Sequence, residues 1–124
     1  MNPLSDAQLT ELRTLLQTHQ RQLRADIREE LLRHDSEQYG ELARQVHDAG
    51  EESVADMLVE LNAVVLGQSI RTLREVEAAL QRLEQGHYGR CVECEEAIPF
   101  ARLQAYPSTQ RCLVHQQEFE RQQG

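Results

Sequence analysis

The chain has 124 residues, 40% of them apolar but only 4% aromatic, with no tryptophan and a formal net charge of -8. That length allows one domain, or a small domain on a long appendage, and the shortage of aromatic side chains suits helices better than a sheet sandwich. With no apolar run of membrane length and no secretory leader, a soluble cytoplasmic protein without a membrane partner is expected.

In chain order, Ser5-Asp6-Ala7-Gln8 has the S-x-x-Q form of a capping box and opens a helix. Leu9, Leu12, Leu16, His19, Leu23, Ile27 and Leu31 then recur at steps of three and four, an apolar stripe on one helix face. The stripe weakens through His34–Gly40 and resumes with Tyr39, Leu42 and Val46, so a kink or frayed turn is expected at Gly40.

Residues 35–60 carry eight acids (Asp35, Glu37, Glu41, Asp48, Glu51, Glu52, Asp56 and Glu60) against Arg44 alone, while the flanking stretches almost balance. A patch of this sign repels nucleic acid phosphates and suits a cationic surface or a divalent metal. The plain alternative is a solvated acidic face.

Ser53-Val54-Ala55-Asp56 reads as a second helix start, and Leu58, Leu61, Val65, Gln68, Thr72 or Leu73, Val76, Leu80 and Leu83 follow at near-heptad spacing. Gly86 supplies the stop. The short glycine-bearing segment His47–Glu52 predicts that the two runs fold back on one another. The fold expected is therefore all-α: a long antiparallel helical hairpin, or coiled-coil arm, over residues 1–86 with an acidic tip near 47–53. A small metal lobe with a short C-terminal helix fills residues 87–124. The competing arrangement is an open three-helix bundle, with the second half of the first helix folded back at Gly40.

Every cysteine lies between Gly89 and Gln117. Cys91 and Cys94 form C-x2-C; Cys112 and His115 form C-x2-H after an intervening loop of seventeen residues. Two such pairs match the tetrahedral Cys3His set that Zn2+ takes, the alternative for His115 being a free surface histidine beside three thiolates. An odd cysteine count argues against a disulfide framework, and the βαβ pattern that accompanies a redox CxxC is missing. No H-x-E or H-E-x-x-H occurs, and four filled positions leave none for substrate, so the zinc reads as structural and the protein as no enzyme.

The motif Tyr88-Gly89-x-Cys91-x2-Cys94-x3-Ile98-Pro99-x2-Arg102-Leu103-x-Ala105-x-Pro107-x4-Cys112-x2-His115 resembles the DksA/TraR family of bacterial transcription factors. With the hairpin, the likeness extends over roughly residues 10–120. The resemblance implies a protein that binds RNA polymerase directly and not DNA. It implies an arm inserted through the secondary channel, with the acidic tip approaching the active site. The family's fourth ligand, usually cysteine, is His115 here. Its tip motif D-x-x-D-x-A appears as Asp48, Glu51 and Ser53, with acidity kept at both positions and serine in place of alanine. Better-studied members use basic residues near the zinc lobe to bind guanosine tetraphosphate; Tyr106 and Gln116 stand at those positions and supply no cation. Little help from that nucleotide is therefore expected. The rival reading is a zinc-stabilised helical adaptor or dimerisation module for another protein, which would use the apolar stripe as its interface.

Overall fold

The computed structural model describes residues 4–58 and 66–123. They form six helices: α1 (Asp6–Leu32), α2 (Glu37–Asp48), α3 (Val54–Met57), α4 (Gly67–Gln85), α5 (Phe100–Ala105) and α6 (Leu113–Gln123). No strand occurs among the described residues, and a single isolated bridge joins Arg90 to Ala97. The fold is all-α, with a helical hairpin and a small lobe that carries the cysteines. No described helix is long and apolar enough to cross a membrane. The chain divides into two compact units, one made of the residues up to Leu16 with those from Ala78 onward, the other of Gln17–Glu77.

In the first unit, the capping box expected at Ser5 is present in both directions. Gln8 N–H donates to Ser5 Oγ at 3.1 Å and Ser5 N–H to Gln8 Oε1 at 2.9 Å, so two otherwise orphaned donors are satisfied. Leu12 and Leu16 are fully buried on the stripe. At the other end of the unit, α4 stops at Gly86 in a Schellman arrangement. Gly86 N–H reaches Leu83 C=O at 3.3 Å, His87 N–H reaches Arg82 C=O at 2.9 Å, and Gly86 takes φ 78°.

In the second unit, Leu23, Ile27 and Leu31 of α1 and Ala43 and Val46 of α2 are buried. α2 runs back along α1, since Arg28 Nη1 lies 3.0 Å from His47 Nδ1 and Arg24 reaches the Gly50 carbonyl. The reversal is not at Gly40, which sits inside α2. It occurs at residues 33–36, where Ser36 caps α2 by accepting from Tyr39 N–H. A serine followed three residues later by the resumed stripe outweighed the glycine, because a cap supplies a partner that a mid-helix glycine does not.

The second apolar run is also divided. α3 ends where Leu58 leaves helical geometry at φ -101° and ψ 3°. From Gly67, α4 resumes with Leu73 and Val76 buried; Leu61 and Val65 of the expected run lie outside the described residues. Between α2 and α3, Ala49, Gly50 and Glu52 form a turn closed by Glu52 N–H to Ala49 C=O at 2.9 Å, with Gly50 at φ 57°. This bend lies beside Arg24, about two helical turns short of the end of α1.

Candidate metal centre

Two knuckles, each shaped by its own backbone, bring the four expected ligands together. Around the first, Cys91 N–H donates to Glu96 C=O at 2.9 Å and Glu95 N–H to Cys91 C=O at 2.8 Å, which folds Cys91 and Cys94 onto one side of the loop. Ile98 N–H to Gly89 C=O at 2.8 Å closes the base of that loop. Around the second, Gln116 N–H reaches Cys112 C=O at 2.8 Å, so Cys112 and His115 share the first turn leading into α6. A backbone bond ties the knuckles directly: Val92 N–H to Gln110 C=O at 2.8 Å.

The segment that carries the second knuckle is held from several sides. Tyr88, 1% exposed, donates its hydroxyl to Pro107 C=O at 2.7 Å, and burial pushes that phenol up to about 12. Arg82 reaches Gln110 Oε1 at 3.3 Å and Thr109 C=O at 3.5 Å. Arg102 reaches Arg111 C=O and Thr109 Oγ1, both at 3.4 Å, so its guanidinium serves its own lobe. Arg111 lies 3.5 Å from Glu93 and 3.9 Å above the Phe119 ring. The supports at Arg82 and Arg111 were not legible, because their partners lie eight to twenty-eight residues away and no local pattern marks them.

The donor atoms of Cys91, Cys94, Cys112 and His115 all lie within 4.8 Å of one another. His115 Nδ1 faces Cys112 Sγ at 3.1 Å and Cys91 Sγ at 3.7 Å. In a tetrahedral zinc site with bonds of about 2.3 Å to sulfur and 2.0–2.1 Å to nitrogen, neighbouring donors stand about 3.5–3.8 Å apart. The cluster fits that size, with His115 presenting Nδ1.

Its electrostatics suit a cation. Burial pushes the Cys91 thiol up, but backbone bonds at Cys112, Cys94 and Glu93 outweigh it and bring it down to about 6. The backbone at His115, and then its ring, lower the Cys112 thiol. The ring in turn is raised by its bond to Cys112. At Cys94 the backbone bond at Glu96 lowers the thiol, but burial and the neighbouring thiols raise it more, so without a cation to gather them the three sulfurs do not all ionise readily. Zinc bound there would be held by these four side chains and would cross-link the two knuckles.

The expected tip residues belong to the unit of Gln17–Glu77. Asp48 ends α2 and is exposed, as are Glu51 and Glu52; none of their carboxylates makes a hydrogen bond or ion pair among the described residues. Ser53 caps α3, accepting from Asp56 N–H at 3.1 Å, which gives the serine a local reason to be there. Asp48 and Glu52 share an open groove of about 300 Å³ with Glu41, Arg44 and Met57. Tyr106 ends α5, and Gln116 on α6 donates to Glu120 at 3.1 Å.

Residues 86–121 match the family of the prokaryotic dksA/traR C4-type zinc finger. An uncharacterized protein of Aquifex aeolicus is 47% identical over 55 residues, 44% of this chain and 38% of that protein, so the chain spans well under half of that relative. The RNA polymerase-binding transcription factor DksA of Caulobacter vibrioides is 29% identical over 101 residues, 77% of this chain and 70% of that protein. Among solved structures, transcription factor DksA2 from Pseudomonas aeruginosa superposes with a TM-score of 0.61 at 26% identity, covering 96% of this chain and 88% of that one. The family's lobe, its four-donor cluster and a fold likeness along nearly the whole chain converge, and the chain is a DksA-like zinc-finger protein.

Proposed function

We propose that this protein binds RNA polymerase and regulates transcription without being an enzyme. The observation that carries the reading is the likeness to a DksA structure over 96% of the chain, coupled to the same class of zinc lobe. In this reading zinc, held by Cys91, Cys94, Cys112 and His115, keeps the lobe folded. The helical part enters the polymerase secondary channel. The exposed carboxylates at Asp48 and Glu51, with Ser53 ordering the chain behind them, form the surface that approaches the active site. A stretch of eight acids against one arginine disfavours direct contact with DNA. Neutral Tyr106 and Gln116 disfavour a strong contact to guanosine tetraphosphate. Polymerase as partner places the protein in the cytoplasm.

The test is a polymerase pull-down paired with an initiation assay on wild type and on the double variant Asp48→Asn with Glu51→Gln. Both positions are exposed, so stability should change by less than about 0.5 kcal/mol. Polymerase binding should persist while the effect on initiation is lost. Absence of polymerase capture by the wild type would reject the whole reading and favour the adaptor. Full activity of the double variant would reject only the role of the carboxylates.

A further inference from the structure

The acidic bend is gripped by its backbone from both sides. From α1, Arg24 Nη1 donates to Gly50 C=O at 2.6 Å and Nη2 to Glu52 C=O at 2.8 Å. From α4, the carboxylate of Glu77 accepts from Val54 N–H at 3.2 Å and from Ala55 N–H at 3.0 Å. The two grips fall on opposite sides of Ser53, and none of the four bonds uses a side chain of the bend. Each is charge-assisted, the stronger class of hydrogen bond. Arginine suits the first grip because its planar fork spans two acceptors, which the point charge of lysine does not. Glutamate suits the second because the first N–H groups of a helix have no partner within it.

Two further observations mark the grip as more than packing. Ala49, Val54 and Ala55 are buried, so apolar burial also helps to seat the segment. Arg24 Nε is nevertheless buried without an acceptor, a cost borne to keep the fork in place. The carboxylates of Asp48 and Glu51 meanwhile make no bond among the described residues, so their direction is set by the backbone that carries them.

We propose that Arg24 and Glu77 are positioning residues, which fix the direction in which Asp48 and Glu51 project so that a partner meets them already oriented. The inference rests on the polymerase reading above. Its physical basis is pre-organisation: a bend ordered before binding does not lose that freedom at the interface.

The experiment uses the zinc-loaded full chain as wild type, Arg24→Ala, Arg24→Lys and Glu77→Gln. Amide hydrogen exchange, polymerase affinity and the effect on initiation are measured in parallel. Glu77→Gln turns one acceptor into a donor facing an N–H, so the Val54 and Ala55 amides should exchange at least about tenfold faster, while buried amides of α1 and α4 stay within about twofold. Arg24→Ala should speed exchange at Glu52 similarly and cut the effect on initiation at saturating protein by about fivefold, with polymerase affinity within about twofold. Arg24→Lys should fall between, and it carries the test with Glu77→Gln if the alanine variant does not fold. Added to the Asp48→Asn and Glu51→Gln double variant, Arg24→Ala should change initiation no further, since it acts through those carboxylates. A purely structural role would lower the melting temperature and leave initiation untouched below it. Unchanged exchange at the bend, or faster exchange with full regulation, overturns the positioning role and leaves the polymerase reading standing. Failure of the wild type to bind polymerase overturns that reading first, and this inference with it.

Discussion

Glu95 lies in the left-handed region at φ 64°, the one described residue other than glycine to do so. A β-carbon makes that conformation costly by roughly 1–2 kcal/mol. Both backbone groups there are engaged: the N–H donates to Cys91 C=O at 2.8 Å and the C=O accepts from Arg90 Nη1 at 3.2 Å. Neither bond needs the side chain, which is exposed. Glu95→Gly therefore relieves the strain and keeps both bonds. Against this stands the extra freedom of glycine in the unfolded chain, roughly 0.5–1 kcal/mol. The balance favours glycine by up to about 1.5 kcal/mol, with a mid-range near 1 kcal/mol. Because metal binding and folding of such a lobe are one equilibrium, the gain should be read in zinc affinity. A difference of about 1 kcal/mol is about fivefold. The assay is competition with a chromophoric chelator on reduced protein at fixed pH. The proper reference is Glu95→Ala, which removes the same charge but keeps the β-carbon, with Glu95→Gln isolating the charge alone. Zinc binding by Glu95→Gly no tighter than by Glu95→Ala would refute the reasoning from strain.

The remaining expectations follow from the same geometry. Freshly purified protein should hold one zinc per chain, and Cys112→Ser should release it and loosen residues 87–115 while far-ultraviolet dichroism keeps most of its helical signal; protein that is reduced yet metal-free would refute the site. Zinc competes with protons, so affinity is full where the ligands are already deprotonated and falls on acidification. The backbone bond at Glu96 lowers the Cys94 thiol, but burial and the thiols of Cys91 and Cys112 raise it more, so its proton competes first and affinity should already decline as pH falls toward neutrality, with a further loss as Cys91 is protonated at about 6; occupancy rising with acidity would contradict the assignment. Ser53→Ala should cost about 1 kcal/mol in urea unfolding of the helical part, through the lost cap on Asp56 N–H, with zinc affinity unchanged. An initiation assay with and without guanosine tetraphosphate, on polymerase lacking its other site for that nucleotide, should show little nucleotide-dependent gain; a large gain would mean that cations other than those expected beside Pro107 and His115 rebuild the contact.

What could be read from the chain alone was local. The Ser5 and Gln8 box, the Gly86 stop and the two metal knuckles each involve groups a few residues apart, whose geometry is set by short backbone stretches and by residue type. The apolar stripe was legible for the same reason, since helix period alone places Leu12, Leu16, Leu23, Ile27 and Leu31 on one face. What the stripe did not disclose is where it would be cut. Gly40 looked like the weak point, yet the cap at Ser36 decided the reversal, because α2 buries Ala43 and Val46 only by turning back there. The grip of Arg24 and Glu77 on the acidic bend and the hold of Arg82 on residues 109 and 110 were decided by tertiary structure. The long-range grips join a charged side chain to backbone groups far along the chain. Backbone groups are alike at every residue, so nothing in the amino-acid order marks them as partners until the fold brings them within reach.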